Sequence, residues 1–79
     1  MNIIKLTKIE WDSFKRIAHT EEIYINTIHI HLFKSAIPVE QMVNQGYDKI
    51  TNITVGDHGH FYVAETPQEI QKTINYLHQ

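Results

Sequence analysis

Cysteine is absent from the 79-residue chain, which removes disulfides and thiolate metal sites and fits a reducing compartment, so a cytoplasmic location is expected. No apolar run approaches the roughly 20 residues of a membrane span. The start, Met1-Asn-Ile-Ile-Lys-Leu6, reads as a strand rather than a signal peptide. Basic charge is also scarce: seven Lys and Arg stand against nine Asp and Glu, scattered apart from the pair Lys15-Arg16. Phosphate neutralisation dominates nucleic-acid affinity, so no nucleic-acid partner is expected. Glycine and proline number three and two, and there is no linker, internal repeat or low-complexity segment. Nucleophilic catalysis has little to work with, because Ser13 and Ser35 lack a glycine-flanked elbow and no loop is built to cradle phosphate. Asp57 and Glu65 form a conceivable carboxylate pair, but one reads as a loop residue and the other as a strand end. A domain this small also encloses a substrate poorly. The chain is therefore read as not an enzyme, with no cofactor.

Residues 1–79 make one domain whose core is marginal without a partner subunit, a metal or a ligand, and this raises the prior for a homo-oligomer. Six histidines are present, enough to add several positive charges as pH falls through about 6 to 7.

The clearest local signal is Thr66-Pro-Gln-Glu69: a hydroxyl to accept from an orphan N–H, proline where no N–H is needed, and glutamate to reach back. Ile70, Ile74 and Leu77 then lie on one stripe of a helix expected from Pro67 to about His78. Before it, the runs Ile50 to Val55 and His60 to Glu65 flank a turn. A three-residue loop of Asp57, His58 and Gly59 pairs Val55 with Phe61 and Ile53 with Val63, placing all four on the face the helix covers. Asn52, Thr54, His60, Tyr62 and Ala64 then face outward.

Asn2 to Ile9 reads as a first strand, with Ile4 and Leu6 on one face and Ile3 on the other. Glu10 to Glu22 admits two readings: Trp11 and Phe14 have helical spacing, while Phe14 to Ala18 also fits a strand that turns at His19-Thr20-Glu21. The strand reading is preferred. Glu22 to Phe33 is a long strand-like run bent at Asn26-Thr27. Beyond the bend Ile28, Ile30 and Leu32 face one way, and His29, His31 and Phe33 the other. Val39, Met42 and Val43, between Pro38 and Gly46, predict a short accessory helix. The expected fold is α+β: a small twisted antiparallel sheet of four to five strands with the C-terminal helix packed on one face.

The segments Ile3-Ile-Lys-Leu-Thr-Lys-Ile9, Glu22-Ile-Tyr-Ile-Asn-Thr-Ile-His-Ile30 and Thr54 to Ile70 cover about half the chain. Together they make it resemble the small flagellar proteins of the FlbD/SwrD type and their phage or mobile-element look-alikes. Ile25-Asn26 and Ile30 match the family's middle element, and Phe61 or Tyr62, Val63, Glu65 and Thr66 its last. Trp11 to Glu21, Ala36 to Asp48 and Asp57-His-Gly59 depart from the pattern. The resemblance implies either a flagellar accessory protein or a phage-encoded inhibitor of a host protein or defence system.

His29-Ile-His31 and His58-Gly-His60 invite a zinc reading, since histidines at i and i+2 of a strand share a face. The second pair fails this if Asp57 to Gly59 is a loop. Solvated or interface histidines are the preferred reading, with no metal. The aromatics are numerous, and those left outside, Tyr62 and Phe33 beside His29, His31 and His60, are the expected binding residues, because interfaces enrich aromatics with polar handles. The expected function is a non-enzymatic interaction module that binds a protein partner. The alternatives are an oligomeric sponge for a small nucleotide-type signal and, last, a histidine-based metal-dependent enzyme.

Overall fold

Ile4 and Leu6 are buried on one face of the first strand and Ile3 is exposed on the other, as the alternation requires. The computed structural model describes residues 2–56 and 59–77. Its five strands are β1 (Ile3–Asp12), β2 (Ile17–Asn26), β3 (Ile30–Ala36), β4 (Ile50–Val55) and β5 (His60–Val63). They form one antiparallel sheet in the order β2-β1-β5-β4-β3. Helix α1 (Glu40–Asn44) joins β3 to β4, and α2 (Pro67–Leu77) follows β5. This is the α+β arrangement the sequence predicts.

The segment after Ile9 continues as strand, and its turn falls earlier than the expected His19-Thr20-Glu21. Asp12 Oδ1 accepts from the N–H groups of Phe14 at 2.9 Å and Lys15 at 3.1 Å, a carboxylate standing in for a backbone turn acceptor. Arg16 then closes the turn at φ 55°. His19, Thr20 and Glu21 are ladder residues, paired with Glu10, Ile9 and Lys8. After β2 the expected bend at Asn26-Thr27 is a single 3₁₀ turn, Thr27–His29, capped by the Asn26 side chain on the N–H of Ile28.

The β4–β5 hairpin keeps the expected faces with a ladder slipped by two residues. Ile53 pairs with Phe61 and Thr51 with Val63, and the Val55 N–H donates to the Gly59 carbonyl at 2.8 Å. A slip of two preserves the side-chain period, so the hydrophobic pattern alone does not separate the two registers. The expected loop residues Asp57 and His58 lie outside the described residues.

Each face of the sheet carries its own cluster. On the inner face Ile4, Leu6, Ile53, Val55 and Val63 are buried with Ile70 of α2, and Ile23, Ile25, Ile30, Phe33, Phe61, Ile74 and Leu77 pack against them. On the opposite face Ile9, Ala18 and Ile50 are buried with Met42 of α1, flanked by Trp11, Ala36, Tyr47 and Ala64. Helix α1 is thus the cover of a second core rather than an accessory. It ends as the sequence predicts: Gly46 takes φ 99°, its N–H donates to Val43 O at 2.9 Å, and the Tyr47 N–H donates to Met42 O at 2.9 Å. Both orphan carbonyls are satisfied by a left-handed glycine stop.

Candidate functional site

Strand β3 decides where the expected binding residues lie. A register shift between Ile30 and Leu32 inserts one residue, so Ile30 opposes Val55 and Phe33 opposes Ile53. Both turn to the inner core, and Leu32 is left exposed. A bulge of this kind re-aims every side chain beyond it. Phe33 is therefore not on the face expected from simple alternation. His29 belongs to the 3₁₀ turn and His31 sits at the bulge, so the two do not share the strand geometry that motivated a zinc reading. Among the described residues no three His, Cys, Asp or Glu side chains come together as metal ligands. His58 lies outside the described residues.

His60 and Tyr62 do lie on the opposite face, where they pair across the ladder with Thr54 and Asn52. Tyr62 also neighbours Ile9 of β1. Of the five expected residues, Tyr62 alone lines a cleft between that face and α1. The cleft has a volume of about 200 Å³ and is walled by Ile9, Trp11, Ile37, Val39, Met42, Ile50 and Tyr62. Its floor is buried, whereas Ile37 is 96% exposed and Val39 and Tyr62 remain exposed in its wall. Sequence reading missed this patch although a signal exists: the apolar residues of β1 change parity, from Ile4 and Leu6 to Ile9 and Trp11. A strand that changes parity has two halves to bury on opposite faces.

The second feature of this end of the molecule is the tip of the β1–β2 hairpin. Phe14 is 99% exposed there, its backbone N–H donating to the Asp12 carboxylate, and it is followed by Lys15 and Arg16. Four of the eight aromatic residues are exposed: Phe14, Tyr24, Tyr62 and Tyr76. No aromatic residue is among the buried side chains of the described core, which are aliphatic except for Met42 and Thr51.

Behind the site, the junction between β5 and α2 is cross-linked to β1. Ala64 donates its N–H to Thr7 O at 2.9 Å. The Glu65 carboxylate accepts from the Thr7 N–H at 2.9 Å and from the Thr7 hydroxyl at 3.0 Å, taking over where the backbone ladder stops. Thr51, 0% exposed, donates its hydroxyl to the Glu65 carbonyl at 2.6 Å. The strand that presents Tyr62 is fixed by these bonds. No family model, curated protein or solved structure matches the chain.

Proposed function

We propose that the protein is a non-enzymatic interaction module that self-associates and occupies the surface of a protein partner. The observation that carries this reading is the apolar patch around α1, in which Ile37, Val39 and Tyr62 converge on one cleft and Val43 lies a helical turn beyond Val39. Contiguous exposed apolar surface on a small domain marks an interaction site, and a nearby tyrosine adds the polar handle that interfaces favour. The resemblance to the FlbD/SwrD type supports the same class and leaves a flagellar accessory role and a phage-encoded inhibitor as its two settings.

At this cleft the sponge alternative is the weaker reading. At about 200 Å³ the cleft is smaller than the roughly 300–1,000 Å³ of small-ligand pockets, and apart from the Tyr62 hydroxyl and the Trp11 indole N–H the side chains that wall it are apolar, with no cation for a phosphate. A second chain would have to complete such a site. Native mass spectrometry of the protein isolated from its host separates the readings. A stoichiometric protein partner that is lost in Val43→Glu supports the module. A retained nucleotide and no protein partner sinks it in favour of the sponge.

A further inference from the structure

We propose that the β1–β2 hairpin tip of one chain docks in the α1 cleft of a second copy, with Phe14 as the anchor, and reciprocally. The proposal rests on the self-association part of the preceding reading and names its contact. Three observations at the tip point to use. A phenyl group that is 99% exposed costs hydration that folding of this chain does not recover. The Asp12 carboxylate accepts from the backbone N–H groups of Phe14 and Lys15, so the backbone that carries the anchor is set in a defined turn before any partner arrives and only side-chain freedom remains to be lost on docking. Arg16 sits at φ 55°, a left-handed conformation that glycine or asparagine adopts more readily. Arginine at that position keeps a cationic side chain at the tip despite backbone strain, a pattern that clusters at functional sites.

The cleft matches this tip in size and charge. A cavity of about 150 Å³ holds a benzene ring, so about 200 Å³ of apolar cleft admits one phenyl group. The next residue after the cleft-lining Val39 is Glu40, exposed in the first turn of α1, an acidic counterpart to Lys15 and Arg16. Trp11 lines the cleft and lies three residues before Phe14, so each chain carries its tip and its cleft at the same end. A two-fold axis there brings both tips to both clefts, the self-complementary arrangement of an isologous dimer.

Sedimentation equilibrium of the full chain tests this with two variants. Phe14→Ser removes the tip, and Val39→Lys places a cation in the cleft. Each variant alone is expected to associate at least about tenfold more weakly than the parent, the loss typical of a central aromatic anchor, with unchanged far-UV circular dichroism. An equimolar mixture is expected to regain part of the dimer, because one intact tip then meets one intact cleft. A Phe14→Ser chain that keeps the parental dimer overturns the docking mode and leaves self-association standing. A folded mixture that gains no dimer over its components also overturns it. A parent that stays monomeric at every concentration overturns self-association and this contact together, and if Phe14→Ser then abolishes binding of a different protein, the tip belongs to that partner.

Discussion

Glu65 and Thr66 are neighbours in sequence with separable duties, and substitution distinguishes them. Thr66 Oγ1 accepts from the Glu69 N–H at 3.1 Å, and Glu69 Oε1 accepts from the Thr66 N–H at 3.3 Å. Thr66→Ala is expected to cost about 0.5–2 kcal/mol through the lost cap, read as a lower urea midpoint with unchanged slope. An unmoved midpoint removes Thr66 from that role. Glu65→Ala strips the Thr7 N–H and hydroxyl of their acceptor, and a half-buried donor left unpaired costs about 1–3 kcal/mol. Hydrogen exchange at the Thr7 amide should accelerate in that variant; unchanged protection there would show that water replaces the carboxylate without loss. The cap was legible in the sequence because its partners are three residues apart. The bond from Glu65 to Thr7 spans 58 residues, and no local pattern announces it.

At the scale of elements, parity carried most of what the sequence could say. It placed Ile4, Leu6, Ile53, Val55, Phe61 and Val63 on one face, and the apolar stripe of Ile70, Ile74 and Leu77 over them. It failed where one residue is added, at the bulge in β3 that turns Phe33 inward. It also misjudged the β1–β2 turn, where an aspartate side chain supplies the signal that glycine or asparagine would normally give. The role of α1 was underestimated because Met42 meets Ile9, Ala18 and Ile50 only once the sheet is assembled. The residue that caps its C-terminus, Gln45, reaches further, to the open edge of β2. Gln45 Oε1 accepts from the Ala18 N–H at 2.8 Å, and its Nε2 donates to the Ala18 carbonyl at 3.4 Å. A side-chain amide thus pairs with the edge as a neighbouring strand would, and edges left open recruit other chains. Gln45→Ala should speed exchange of the Ala18 amide and lower stability by about 0.5–1.5 kcal/mol. Unaltered exchange at Ala18 would mean that the edge is protected in some other way.

For the whole molecule, the distribution of apolar surface matters more than its amount. The described residues extend 41 × 24 × 18 Å, and the two clusters lie on opposite faces of one sheet, so neither core is deep. The fully buried side chains are few, Ile53, Ile70, Val63 and Thr51, while Ile37 and Tyr62 are exposed at the α1 cleft and Phe14 at the hairpin tip three residues beyond the cleft-lining Trp11. Shallow cores and apolar residues still in water leave surface that association would cover, and the stability so gained would depend on chain concentration. If native chains pair and unfolded chains do not, each tenfold rise in concentration above the dissociation constant adds about 0.7 kcal/mol per chain, half of the roughly 1.4 kcal/mol that a factor of ten represents. For a domain of this size the melting midpoint should then rise by roughly 3–6 °C per tenfold. Calorimetry over a hundredfold concentration range checks it. A midpoint that does not move across that range would show that the folded chain is stable alone, and the apolar end would then have to be explained by a partner of another kind.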